Sequence, residues 1–178
     1  MELDTRLVSK EINALLWNEN KTLSTAESCT AGRIASVITA VPGSSKYFRG
    51  GLICYQDDIK VNLLNVRQDS IDEHDVVSEE VVKEMVYGAI KLFNSDYAVA
   101  ISGYAGPGGP DNGRNAVVVG NIWIAVGNKD EVRTKLLEDD HGRDKNLIIA
   151  TNTAMHMLCD YLKEKQEAKN ADEAINEI

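Results

Sequence analysis

Hydrophobic and polar positions alternate along this chain in blocks that change period, and the blocks predict an alternation of helices and strands. Residues 5 to 19 carry Leu7, Ile12, Leu15 and Leu16 at roughly helical spacing and end at Asn18-Glu19-Asn20, which predicts a packing helix. Thr22 to Ala26 alternates as a short strand, breaks at a cluster of small polar residues, and resumes as the helical pattern Ile34-Ala35-Ser36-Val37-Ile38, ending before Pro42-Gly43. Tyr47 to Tyr55 reads as a strand whose internal Gly50-Gly51 predicts a bulge or the close approach of another backbone or a ligand. Asp57 to Leu64 is helical, with Ile59, Leu63 and Leu64 apolar.

A further helix is predicted after Asp75-Val76-Val77, capped by Ser78 and buried through Val82, Met85, Val86, Ala89, Ile90 and Phe93. Tyr97 to Ser102 is continuously apolar up to its last residue, as in a strand covered on both faces. Val117 to Val126 and Val132 to Leu137 predict a hairpin turning at Gly127-Asn128-Lys129-Asp130. Asp140 to Asp144 opens a last helix expected to run to about Lys163, with Leu147, Ile148, Ala150, Thr151, Ala154, Met155, Leu158 and Tyr161 on its apolar stripe. The charged segment from Gln166 to Ile178 is expected to fray. No repeat interrupts the pattern, so one domain over residues 1–165 with a disordered tail over 166–178 is the expectation.

Composition narrows the function. Of 178 residues 43 % are apolar and 26 % charged, as in ordinary globular chains, and the net charge of −9 argues against a nucleic-acid partner held by phosphate neutralisation. No apolar run is long enough to span a bilayer and no signal-like segment opens the chain, so a cytoplasmic location without membrane contact is expected. The three cysteines, Cys29, Cys54 and Cys159, lack paired spacing, and His74, His141 and His156 are dispersed, so neither a disulfide framework nor a metal site is expected.

Chemistry concentrates where the first strand turns into a helix, at Ser24-Thr25-Ala26-Glu27-Ser28-Cys29-Thr30-Ala31-Gly32-Arg33. Such a turn exposes a side chain at the carboxyl edge of a sheet and leaves backbone N–H groups free at the helix start, where partial positive charge collects. Ser28 and Cys29 both occupy that place. On the turn alone Ser28 is a helix cap or a nucleophile, and the Gly-x-Ser-x-Gly elbow pattern is absent. The second place is Gly103-Tyr104-Ala105-Gly106-Pro107-Gly108-Gly109-Pro110, a loop with four glycines and two prolines whose N–H groups can approach a ligand closely. It carries neither the Walker nor the dinucleotide-binding pattern.

Lys60 lies in the first turns of its helix, five residues after Tyr55, and Arg143 opens the last helix; both cations run against the helix dipole. A solvated lysine and a structural arginine ion pair are the plain alternatives. Strands ending at Ala26, Tyr55 and Ser102 would gather Ser28, Tyr55, Lys60, Ser102, the glycine loop and Arg143 at one sheet edge. A serine with a lysine base describes an acyl-transfer hydrolase, provided that burial or a nearby cation keeps the amine uncharged. Tyr55 would relay the proton or hold the lysine.

Taken together these stretches resemble the CinA C-terminal domain family, whose characterised enzymes are nicotinamide mononucleotide deamidases. The resemblance runs from about residue 5 to 165, on Thr25-Ala26-Glu27-Ser28-Cys29-Thr30, Pro42-Gly43-Ser44-Ser45, Arg49-Gly50-Gly51, Tyr55 with Lys60, Val77-Ser78-Glu79, Ile101-Ser102-Gly103 with Ala105-Gly106-Pro107, Gly120 with Trp123, and Gly142-Arg143. It implies a single-domain three-layer α/β/α sandwich with a mixed sheet. It also implies hydrolysis of a pyridine nucleotide's carboxamide to carboxylate and ammonia, with no cofactor or metal. Ser28 and Lys60 match the family's Ser–Lys pair, Tyr55 stands beside them, and Cys29, Thr30, Ser102, Gly103, Ala105, Gly106 and Arg143 fall where substrate contacts are expected. The chain departs from the family pattern at Ala31, Gln56-Asp57-Asp58-Ile59, Tyr104 and Val118-Val119-Gly120-Asn121, all of which bear on the pocket wall. A cysteine hydrolase using Cys29 and a non-catalytic nucleotide-binding protein are the rival readings. The oligomeric state stays open, a homo-oligomer included.

Overall fold

The computed structural model describes residues 3–108 and 118–176. Five strands, β1 (Leu23–Glu27), β2 (Phe48–Ile53), β3 (Tyr97–Gly103), β4 (Ile122–Gly127) and β5 (Val132–Leu137), form one sheet in the order β2-β1-β3-β4-β5. β1 is parallel to both β2 and β3, whereas β4 runs antiparallel to both β3 and β5, so the sheet is mixed, as the family resemblance implies. The parallel half needs crossovers and the antiparallel half only tight turns. The helices accordingly cluster before β4: α1 (Leu3–Glu19), α2 (Arg33–Thr39), α3 (Asp57–Leu64), α4 (Gln68–His74) and α5 (Glu79–Phe93), with α6 (Arg143–Asn176) closing the chain.

Strand alternation sorts the side chains into two cores. Leu23, Val99, Ile101, Ile122, Ile124 and Val126 point to a layer of α1, α2 and α6, where Ile12, Leu16, Ile34, Ile38 and Leu158 meet them. Ala26, Ala98, Ala100 and Ala125 point the other way, toward Leu64, Val82, Met85, Val86 and Ala89 of α3 and α5. The small strand residues on that second face let α5 lie close to the sheet. On the other face Gly51 is required for a similar reason, because a Cβ there would come within 2.3 Å of Thr25 Oγ1 and against Ala35 of α2.

Several expectations change in detail. The stripe of α1 is Val8, Ile12 and Leu16, with Leu7 exposed, a rotation of one position around the helix. The helix α4 was not legible, because its seven residues bury only Ser70 and Ile71. The second hairpin starts at Ile122 rather than in the valines before it: Gly120, at φ 99°, donates its N–H to the Tyr104 carbonyl and turns the chain. Val117, Gly109, Pro110 and the polar stretch 111–115 lie outside the described residues. The expected frayed tail is helical as far as Asn176, since α6 lies along α1 and Gln166 and Lys169 both donate to the carboxylate of Glu19. Among the described residues no helix is long and apolar enough to cross a membrane.

The entries of β1 and β3 are clasped by Asp96. Its carboxylate accepts from Lys21 Nζ at 2.8 Å, Thr22 N at 2.8 Å and Thr22 Oγ1 at 2.7 Å. Burial alone would raise this group, but the bonds from Lys21 and Thr22 outweigh it and hold the carboxyl below its ordinary 3.8. A carboxyl depressed in the fold contributes stability above its unfolded pKa and loses it as pH falls through the folded value. Asp96→Asn is therefore expected to cost about 1 kcal/mol at pH 7. Urea midpoints measured at pH 7 and pH 3 should show the gap between the two proteins narrowing on the acid side.

Candidate active site

The turn after β1 is built around a buried carboxylate. Glu27 is the last residue of β1 and 1 % exposed, on the face that meets α2. Its Oε2 accepts from Thr30 Oγ1 at 2.7 Å, Gly32 N at 3.0 Å and Ile34 N at 3.1 Å, and its Oε1 from Ala35 N at 2.8 Å. The N–H groups at the start of α2, expected from the sequence to be free for a ligand, are thus occupied by the protein's own anion. The cap position itself belongs to Gly32 at φ 91°, four residues beyond Ser28, which sets aside the reading of Ser28 as a helix cap.

Ser28 is left at the crest of the turn. Glu27 stands opposite Ile53 of β2 and Ile101 of β3, so Ser28 comes level with Cys54 and Ser102. Ser28 N–H donates to the Ile101 carbonyl at 3.0 Å and Cys54 N–H to the Glu27 carbonyl at 2.9 Å, which carries the ladder one residue past β1. By parity Ser28 shares the face of Ala26, Cys54 and Ala100, where α3 and α5 pack, while Cys29 turns into the opposite core.

Lys60 comes to that same face from α3. It is 1 % exposed, so the solvated-lysine alternative is wrong. Its Nζ reaches the Tyr55 carbonyl at 3.4 Å and Asp57 Oδ1 at 3.5 Å. Tyr55 lies two residues beyond β2, next to the strand that precedes Ser28, so the amine is held at the carboxyl edge shared by β1 and β2. The Tyr55 phenol is exposed, and what the residue offers Lys60 is its main-chain oxygen. Burial pushes the Cys54 thiol up to about 11 despite the pull of the nearby Lys60 amine.

On the β3 side, Ser102 is buried and its hydroxyl donates to the Val76 carbonyl at 2.9 Å. Two residues on, Tyr104 donates its phenol to Asp75 Oδ1 at 2.7 Å. The loop between α4 and α5 thus closes over the end of β3, and Asp57, Asp75 and Tyr104 join the site as members that sequence reasoning missed. Asp57 and Tyr104 were visible only as departures from the family pattern.

The glycine loop and Arg143 meet on the other side of the turn. Arg143, exposed in the first turn of α6, donates from one guanidinium nitrogen to the Gly106 carbonyl at 2.7 Å. Asn146 donates to the Ala105 carbonyl at 3.1 Å and to Asp140 Oδ1 at 2.9 Å, and it accepts the His141 N–H. Its signal in the sequence was a polar residue beside the apolar stripe at Leu147. Gly103 closes the end of β3 against Ile122, where a Cβ would come within 2.6 Å of that side chain. Thr30 is fully buried, its hydroxyl committed to Glu27. Among the described residues no cluster of three or more His, Cys, Asp or Glu side chains could hold a metal ion.

Cys29 is buried, and burial pushes its thiol up to about 12, against the opposing pull of the Cys29 and Thr30 N–H groups and of Arg143. At pH 8 the thiolate is then about one part in ten thousand. A thiol in that state is a poor nucleophile.

The family model of the CinA C-terminal domain matches residues 5–162. The nicotinamide-nucleotide amidohydrolase PncC of Escherichia coli K12 is 42 % identical over 118 residues, covering 66 % of this chain and 70 % of that protein. A CinA-like protein of Leptospira borgpetersenii is 38 % identical over 158 residues, covering 88 % of this chain but 37 % of that protein, so the chain spans just over a third of such relatives. Among solved structures, a CinA superfamily protein of Klebsiella pneumoniae superposes with a TM-score of 0.82 at 31 % identity, covering 90 % of this chain and 98 % of that one. A competence/damage-inducible protein of Agrobacterium tumefaciens gives 0.82 at 30 % identity, covering 92 % and 99 %.

Two outcomes follow from the turn's construction. Glu27→Gln places an amide N–H against donors that need an acceptor, and it should lower unfolding stability by about 2–4 kcal/mol in urea titrations; a loss under about 0.5 kcal/mol would contradict this role for the carboxylate. The native protein at pH 8 should resist iodoacetamide at Cys29 and become labelled there only after unfolding, as peptide mass mapping would show.

Proposed function

This chain belongs to the CinA C-terminal domain family, and we propose that it hydrolyses the carboxamide of nicotinamide mononucleotide to the carboxylate and ammonia through an acyl-enzyme on Ser28. The observation that carries this reading is the placement of a buried amine, Lys60, at the strand edge that presents Ser28. Few structural purposes are served by burying a lysine whose nearest acceptors, a carbonyl and an exposed carboxylate, stand 3.4 and 3.5 Å away.

In the reaction, Lys60 takes the proton of the Ser28 hydroxyl as Oγ bonds to the carboxamide carbon. The Tyr55 carbonyl orients the amine for that transfer. The N–H groups of Cys29 and Thr30, which make none of the described main-chain bonds and otherwise face the Cys29 sulfur, are the donors this reading assigns to the developing oxyanion. The loss of one such donor costs about 3 kcal/mol of barrier. As the C–N bond breaks, Lys60 returns its proton to the leaving nitrogen and ammonia departs. Water then gives a proton to Lys60 and attacks the ester; the C–Oγ bond breaks, Ser28 regains its proton, and the carboxylate leaves.

Substrate contacts divide by charge. Arg143 and the loop carrying Gly103, Ala105 and Gly106 offer a guanidinium and backbone donors in one place, which suits the phosphate. Asp57 and Asp75 stand on the Lys60 side, where a phosphate would be repelled. Ser102, pinned to Val76, walls the pocket between them.

The test is ammonia release from nicotinamide mononucleotide by the parent chain, Ser28→Ala and Lys60→Met, the last nearly isosteric with the buried side chain. Each substitution should reduce turnover at least roughly a thousandfold with the melting temperature preserved. Near-parental turnover in either variant would end the mechanism, and binding of the nucleotide without product by the parent would favour the non-catalytic alternative.

A further inference from the structure

Asp75 adopts φ 75° and ψ 156°, a backbone conformation nearly reserved for glycine that costs an aspartate on the order of 1–3 kcal/mol. Such strain persists only where its surroundings over-determine it, and here four bonds do so. The Asp75 N–H donates to the Ile71 carbonyl at 3.0 Å, Ser78 Oγ donates to the Asp75 carbonyl at 2.8 Å, and Oδ1 accepts from Val77 N at 3.0 Å and from the Tyr104 phenol at 2.7 Å. The first three would serve any turn. The fourth reaches across to the strand end beyond Ser102 and fixes an aromatic ring at the site.

Tyr104 lies two residues past Ser102 on the same face of β3, and its N–H donates to the Asn121 carbonyl, so strand geometry holds that far. The ring is half-buried. Burial raises its phenol far above the ordinary value and the adjacent Asp75 adds to this, so the group stays a protonated donor; Asp57, across the site on α3, is near enough to act in the same direction. One aromatic ring is therefore flanked by two carboxylates, Asp75 bonded to its phenol and Asp57 on the helix that carries Lys60. Asp57 lies 3.5 Å from the Lys60 amine, and among the described residues no cation pairs with Asp75. Aromatic faces backed by negative charge attract planar cations.

We propose that Tyr104, held by the strained Asp75, is a specificity-determining residue that receives the substrate's ring as a planar cation, so that the site selects the oxidised pyridinium over the neutral dihydropyridine. This rests on the amidohydrolase reading for the substrate's chemistry. The two nucleotides share ribose, phosphate and carboxamide and differ in ring charge and planarity, so a preference between them isolates the ring contact.

The experiment measures dissociation constants by calorimetry for oxidised and reduced nicotinamide mononucleotide in a Ser28→Ala background, which removes turnover. Adding Tyr104→Ile should weaken the oxidised form about tenfold and the reduced form less than about twofold. Asp75→Asn retains an acceptor for Tyr104 and Val77, and it should weaken only the oxidised form. Tyr104→Phe keeps the ring and packing without its anchor, and should fall between the parent and Tyr104→Ile. Equal losses on both nucleotides, no loss on either, or a Ser28→Ala protein that binds neither would each overturn the proposal. Ammonia release by the chain with Ser28 intact is scored separately. Ring preference without ammonia would sink the hydrolase reading alone, and ammonia release with variants indifferent to ring charge would sink the subsite alone.

Discussion

Four hydrogen bonds to one buried carboxylate set the geometry on which the rest of this molecule's chemistry depends. Glu27 ends the central parallel strand with its charge turned toward the start of α2, and Thr30, Gly32, Ile34 and Ala35 converge on it. An anion buried at that place is stabilised by the helix dipole and by donors that would otherwise be orphaned. Its removal would leave those N–H groups unpaired in the interior, a larger penalty than the bonds themselves contribute. The chain therefore has one way to leave β1, and that way puts Ser28 at the crest of the turn.

The turn also divides the two sulfur- and oxygen-bearing candidates between opposite faces. Ser28 continues the parity of Ala26 and faces the layer that carries Lys60, Asp57, Val76 and Asp75. Cys29 packs among the apolar residues of the other layer, where burial keeps its thiol protonated. Neighbouring residues in the sequence thus come to face different layers through nothing more than strand alternation. The same division places Arg143 and the Gly106 carbonyl on one side of the turn and the acidic wall on the other. The proposed substrate, with an anionic end and a cationic ring, would meet complementary charge at each.

Membership of the CinA C-terminal domain family accounts for the shared frame: mixed sheet, turn and glycine loop occur together over residues 5–162. Tyr104 and Asp57 are two of the places where the sequence departs from the family pattern, and Tyr104 is bonded to the strained Asp75 while Asp57 lies beside Lys60. The Tyr104–Asp75 bond joins the end of β3 to the α4–α5 loop, so the two residues are coupled.

The sequence by itself determined the alternation of β1, β2 and β3 with α1, α2, α3 and α5, the Ser78 cap, the buried strand at Tyr97–Ser102 and the place of Ser28, because each leaves a local mark in periodicity, capping or turn chemistry. It also placed Lys60 and Arg143 near helix starts, where a cation runs against the dipole. Only the tertiary structure decided that Glu27 fills the helix end expected to be open, since a carboxylate's partners depend on which face of the strand is covered. Only it showed that Asp75 and Tyr104 bond across 29 residues, that α4 exists on two buried residues, and that the charged last segment stays helical against α1. These depend on pairings between distant segments, whose energies come from burial and desolvation that no local pattern records.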